Sequence, residues 1–156
     1  MTKSSRLTAI LSIGAMLVAG ISYKLAASQA HAPHYPTRNV WAGVYTQEQS
    51  ARGKLAYTQF CSSCHREDLS DGETGPQLKG SAFFDRWHNL ELLDVFAKIQ
   101  SGMPRDYTAF IAAASARDIV CFLLKENGVP AGDKELSANI EELSDILITR
   151  PSAPAK

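Results

Sequence analysis

The stretch "FCSSCH", Phe60 to His65, holds the residues whose types and spacing most restrict the chemistry open to this chain. Cys61 and Cys64 place two thiols three positions apart, and His65 follows the second at once. A thioredoxin-like redox pair follows a strand and opens a helix, whereas these cysteines close a segment with helical spacing and enter a loop. A structural zinc site needs four ligands. Outside the motif the folded part offers only His88 and Cys121, and Cys121 sits inside "DIVCFLLK", an apolar helical run where a small inert thiol belongs.

Covalent haem attachment uses all three residues. Each thiol adds across one vinyl group of the porphyrin, and the adjacent imidazole becomes the proximal ligand of the iron. Ser62 and Ser63 are compact enough to lie between the two links. The opposite face of the iron then needs a partner or stays open for a small molecule. Met1 and Met16 fall in the N-terminal segment, which leaves Met103 in "SGMPRD", directly after a helix, as the expected distal ligand. His88 in "RWHNL" is the alternative. The second ring nitrogen of a ligating histidine is usually held by a carbonyl or carboxylate. The carbonyl of Pro76 in "GPQLKG" is expected in that role for His65, with Leu78 against the ring.

These residues must be positioned by the rest of a chain of one domain's length. Residues 1–30 read as an export signal: Lys3 and Arg6, the apolar run Leu7 to Ile21, then "SQA" at Ser28 to Ala30. An uncleaved anchor is the competing reading, and in both cases the remainder lies outside the cytoplasm, in the periplasm or beyond. Past residue 30 the chain carries 13 basic against 16 acidic residues, with no basic stripe for nucleic acid. Residues 31–39 form a leader, residues 40–149 the folded domain, and residues 150–156 a frayed tail. The first helix follows Thr46, with Gln49 as its capping-box partner. Gly53 and Tyr57 share one face of it, and the glycine marks a close backbone approach. A second helix is capped by Asn89, lined by Leu92, Leu93, Phe96 and Ile99, and stopped at Gly102. A last strong helix runs from Ser115 to a stop at Gly128. Leu136, Ile140, Leu143, Ile146 and Ile148 are expected to pack the tail back onto the domain. No strand pair is predicted, and the fold class is all-α.

Taken together, "CSSCH", "GP-L-G" (Gly75, Pro76, Leu78, Gly80) and Met103 resemble class I c-type cytochromes. Gly53 and Tyr57 match the first-helix face that crosses the last helix in that fold, with Ile119, Phe122 and Leu123 opposite. The resemblance implies a small class I cytochrome c fold, helices wrapped around one covalently bound haem c. "CSSCHREDLSDGE", "GSAFFDRW" and "DIVCFLLKENGVPAG" look like the single-haem cytochrome modules associated with pyrroloquinoline-quinone (PQQ) dependent dehydrogenases. After "MP" those modules often carry a Pro-Gly turn and a capping serine, which "RDYTAFIAAA" replaces here. The function implied is one-electron transfer between redox partner proteins, a PQQ-dependent dehydrogenase or a terminal oxidase among them. Two rivals stand beside it: a haem peroxidase or gas sensor with an open distal site, and a permanent subunit of an oxidase or dehydrogenase complex.

Overall fold

The computed structural model describes residues 34–72, 74–106 and 109–152. The expected export signal lies outside them. Among the described residues the architecture is helical: α1 (Gln47–Phe60), α2 (Ser62–His65), α3 (Ser81–Trp87), α4 (Leu92–Gly102), α5 (Ala113–Glu126) and α6 (Ile140–Ser144). None of these helices is long and apolar enough to cross a membrane.

α1 starts where a two-residue signal says it should. Thr46 is extended, its hydroxyl accepts from the Gln49 amide at 3.3 Å, and Gln49 Oε1 accepts from the Thr46 amide at 3.2 Å. Gln49 is buried and does a second task. Its Nε2 donates to the Leu136 carbonyl and its Oε1 accepts from the Leu136 amide, both at 2.8 Å. One polar side chain thus caps a helix and fastens a distant segment, with its hydrogen-bonding groups paired in the interior.

α1 crosses α5 at Gly53. A Cβ there would fall 1.8 Å from the Asp118 carbonyl oxygen, so only a glycine lets the two backbones meet. One turn on, the Tyr57 and Phe122 rings lie 5.1 Å apart with a tilt of 49°, within the range where aromatic pairs attract. Beside the crossing, buried Asp118 accepts from Arg52 Nε at 2.8 Å and from Arg117 Nε at 2.9 Å. Cys121 lies wholly buried on α5, and burial, ahead of nearby Asp118, pushes its thiol well above the ordinary range.

Two helix starts differ from the sequence expectation. Asn89 does not cap α4; it adopts φ 64° and its amide donates to the Ile148 carbonyl at 2.9 Å. Glu91 and Asp94 form the capping box instead. Ser115 lies inside α5, which begins at Ala113 because Ala112 is extended and its carbonyl accepts from the Ala116 amide at 2.9 Å. Two alanines favour continuing the helix backwards more than a serine favours ending it. Along α4 the buried residues are Leu92, Val95, Phe96 and Ile99; Leu93 is only half-buried. The α5 terminus closes as expected. Gly128 takes φ 77°, and the amides of Gly128 and Val129 return to the carbonyls of Lys125 and Leu124 at 2.9 and 3.1 Å.

The two ends of the domain are tied together by a feature the sequence did not suggest. β1 (Arg38–Asn39) pairs in parallel with β2 (Ile146–Leu147), inside the stretch read as a leader. The Thr37 amide and hydroxyl both donate to Asp145 Oδ1, at 2.8 and 2.7 Å, and Trp41 Nε1 donates to the Thr149 carbonyl at 3.0 Å. Leu136, Leu143, Ile146 and Ile148 are buried. Ile140 is not: it is the first residue of α6, after the Asn139 cap, and 66% exposed.

Candidate haem site

α1 delivers the motif and a single helical turn displays it. The Cys61 amide donates to the Tyr57 carbonyl at 2.8 Å, and the amides of Cys64 and His65 donate to the Cys61 carbonyl at 3.1 and 2.9 Å. The Tyr57 hydroxyl then fixes the far end, donating to the carbonyls of His65 at 3.2 Å and Arg66 at 2.7 Å. Arg66 leaves this turn with φ 58° and starts the loop that wraps the motif. Sequence reasoning placed Tyr57 only on the α1–α5 face. Its hydroxyl role carried no local signal, because it depends on where the chain goes after His65. Burial raises the Tyr57 hydroxyl above its ordinary value, which keeps it protonated and donating.

The loop from Arg66 to Gly80 folds back under His65. The Gly72 amide donates to the Gly75 carbonyl and the Leu78 amide to the Leu69 carbonyl, both at 2.9 Å. This brings the Pro76 carbonyl oxygen to 2.8 Å from His65 Nδ1. A carbonyl only accepts, so Nδ1 carries the proton and Nε2 keeps its lone pair for a metal. Gly75 forms the cradle: a Cβ there would lie 2.6 Å from His65 Nδ1 and 2.7 Å from the Cys64 carbonyl. At Gly72 a Cβ would lie 1.9 Å from that same carbonyl. The loop can approach the motif this closely because those two side chains are missing.

His65 is buried, and it lines a cavity of about 550 Å³ together with Cys61, Cys64 and Met103. Pro76 and Leu78 line it from the loop, Val95 and Ile99 from α4, and Ile119 and Leu123 from α5. Both motif thiols are free, and burial, with the nearby Cys64 second, pushes the Cys61 thiol up to about 12. Met103 ends α4 in an extended conformation. His88, the alternative distal ligand, is not among the residues lining the cavity. It follows α3, and its Nδ1 is buried without a hydrogen-bond partner among the described residues. Among the described residues no group of three or more His, Cys, Asp or Glu could hold a metal ion by itself. Two free thiols, an imidazole with its second nitrogen held by a carbonyl, a thioether and apolar walls fit a porphyrin bearing its own iron.

Arg86, Lys98 and Arg105 also line the cavity, and the Arg86 guanidinium lies 5.6 Å from the Trp87 ring centroid. Sequence reasoning did not single out Lys98 or Arg105 for the site. A lysine on an exposed helical face looks the same whether or not a cavity opens beside it.

The family model described as cytochrome c oxidase, cbb3-type, subunit III matches residues 48–123, just under half of the chain. The matched stretch opens in the first turn of α1, spans the Cys61–His65 motif and Met103, and closes in α5. The helix-dominated architecture is that of a small all-α cytochrome c fold, and over this stretch the chain is similar to c-type cytochrome domains, which hold haem c covalently and exchange electrons with redox partners. No curated protein and no solved structure matches the chain.

Proposed function

We propose that this chain is an exported single-haem c-type cytochrome that carries one electron at a time between redox partner proteins. Cys61 and Cys64 would hold the haem through thioether links, and His65 and Met103 would ligate its iron. The observation that carries this reading is that His65, held through Nδ1, shares one cavity with Met103 and both free thiols. Bound there, haem c supplies a ferric/ferrous couple.

Each residue has a definable task. The Pro76 carbonyl orients the imidazole and makes Nε2 a stronger donor. The Met103 thioether would be the second protein ligand to the iron, which would leave no open site for a substrate and favour the ferrous state. Val95, Ile99, Ile119 and Leu123 keep water away, which raises the potential further. Residues 40–149 are the cytochrome domain, residues 1–30 direct it to the periplasm, and a PQQ-dependent dehydrogenase or a terminal oxidase is the partner class.

Carbon monoxide tests the closed site. The reduced, haem-loaded protein should take up none at neutral pH. Ready binding, with a high-spin spectrum, would replace the carrier by a peroxidase or gas sensor.

A permanent place in a complex is the second reading, and the description of the matching family as an oxidase subunit favours it. Fractionation separates the two: a free carrier is recovered in the soluble extract, a subunit with the membranes and its partners.

A further inference from the structure

One peptide group carries two of the contacts that shape the loop under His65. Its oxygen, the Pro76 carbonyl, lies 2.8 Å from His65 Nδ1. Its N–H belongs to Gln77 and donates to Asp71 Oδ1 at 2.7 Å, the length of a charge-assisted bond. The bond between Pro76 and Gln77 is trans, so this planar group points its oxygen and its hydrogen in opposite directions. His65 lies on one side of the group and the Asp71 carboxylate on the other. The result is one line of hydrogen bonds: imidazole N–H to carbonyl, then amide N–H to carboxylate.

The rest of the loop holds the peptide in place. The Gly72 amide donates to the Gly75 carbonyl at 2.9 Å, which turns the chain from Asp71 back toward Gln77. Beyond the peptide, the Leu78 amide donates to the Leu69 carbonyl at 2.9 Å. Asn127 Oδ1 accepts from the Gly80 amide at 2.8 Å, and Asn127 Nδ2 donates to the Leu78 carbonyl at 3.1 Å. Asp71 is therefore not the sole anchor of the loop. No cation is ion-paired with it among the described residues. Asp68, in the same loop, spends Oδ1 on its own turn, accepting from the amide and hydroxyl of Ser70 at 3.1 and 2.6 Å.

We propose that Asp71 is a positioning residue for the proximal ligand and acts on His65 through the Pro76–Gln77 peptide. This rests on the haem-carrier reading above and deepens it. Hydrogen bonds in a chain polarise one another, so a carboxylate on the amide side makes the Pro76 oxygen a stronger acceptor. The Nδ1 proton of His65 is drawn further toward that oxygen, and Nε2 becomes a stronger donor to a metal. A stronger donor favours the ferric state. Asp71 thus opposes the thioether of Met103 and the apolar walls, which favour the ferrous one. Asp71 is exposed, so water and salt screen its charge and the effect is a tuning rather than a switch.

The test compares haem-loaded wild type with Asp71→Asn and Asp68→Asn at neutral pH. In Asp71→Asn the amide oxygen can still accept from Gln77, so the bond is kept and the charge is lost. Asp68→Asn removes a charge from the same loop without touching the line. At an ambient potential fixed at the wild-type midpoint, Asp71→Asn should raise the ferrous-to-ferric ratio about threefold, or about 28 mV at about 59 mV per tenfold. Asp68→Asn should shift it far less. Proton NMR of the reduced protein gives a readout at His65 itself. The Nδ1 proton should move upfield and exchange faster with solvent in Asp71→Asn, and stay in place in Asp68→Asn. Equal shifts in ratio for the two variants, with an unmoved His65 proton, would make Asp71 an ordinary surface charge and overturn the proposal. An unchanged ratio in Asp71→Asn would overturn it too. If the wild type binds carbon monoxide, the closed carrier is refuted, and the His65 proton of the low-spin reduced form with carbon monoxide bound still decides for or against Asp71. A closed, redox-active protein whose His65 proton ignores Asp71→Asn refutes this proposal alone.

Discussion

His65 Nδ1 lies 2.8 Å from the Pro76 carbonyl oxygen, and the Gly75 backbone packs against the same imidazole. The contact reaches eleven residues along the chain and fixes both the tautomer and the plane of the ring. The absent Gly75 side chain makes this approach possible. Gly75→Ala would bring a Cβ to 2.6 Å from Nδ1 and 2.7 Å from the Cys64 carbonyl, so ring or loop must move. The expected outcome is a loss of about 1–3 kcal/mol in urea unfolding and a shifted reduction potential, both read on the haem-loaded protein. An unshifted potential would mean that the loop does not control the ligand.

The Tyr57 hydroxyl closes the other side of the motif. Tyr57→Phe keeps the ring contact with Phe122 but removes both donations, to the His65 and Arg66 carbonyls. Leaving those carbonyls without their donor should cost about 1–2 kcal/mol and lower the yield of haem-loaded chain on export. Haem content per chain, compared with wild type, checks it.

Two glycines on helices should respond in opposite directions. Gly53→Ala forces a Cβ to 1.8 Å from the Asp118 carbonyl and drives α1 from α5, at a cost of about 3 kcal/mol or more. At Gly102 the nearest heavy atom to an added Cβ is Lys98 Cδ at 3.4 Å, the stem of a flexible exposed side chain. Gly102→Ala should be neutral or gain about 0.5 kcal/mol by restricting the unfolded chain. Chemical unfolding of both variants decides whether close approach or propensity governs each site.

Acid should loosen the clasp between the chain ends. Hydrogen bonds from Thr37, then the Arg38 side chain, hold the Asp145 carboxyl below its ordinary value of 3.8. A carboxyl with a depressed folded value contributes stability above its unfolded value and loses it as the pH falls through the folded one. The thermal midpoint of wild type should therefore drop as the pH falls below about 4, and Asp145→Asn should flatten part of that drop. Melts across the acid range, wild type against variant, provide the check.

The parts of this molecule that were legible in the sequence are those fixed by few residues close together. Thr46 and Gln49 define a capping box by themselves, and two thiols with an adjacent histidine define an attachment motif. Gly53 announced a close approach because a helix interior disfavours glycine unless something needs the space. Elements decided by distant partners were not legible. Asn89 has the composition of a helix cap, but the Ile148 carbonyl claims its amide and the chain turns left-handed there. The pairing of Arg38–Asn39 with Ile146–Leu147 is two residues long, too short for any alternation of apolar and polar residues to reveal. Helix α3 begins after Gly80 with no side-chain cap, so "SAFFDRW" carries no start signal. Cys61, Cys64, His65, Pro76 and Met103, which line one cavity, could be named from local pattern. Lys98 and Arg105 beside them could not, because only the fold brings α4 and the Met103 strap to one cavity.

The central claim is that His65 and Met103 together close the iron. The most direct test is the visible and far-red absorption spectrum of the exported, purified protein, oxidised and reduced, beside that of Met103→Ala. The account predicts a low-spin reduced spectrum and a weak far-red band of the iron–thioether bond in the oxidised wild type, with the band absent from the variant. A wild-type spectrum that is high-spin, or a far-red band that survives removal of Met103, would contradict it.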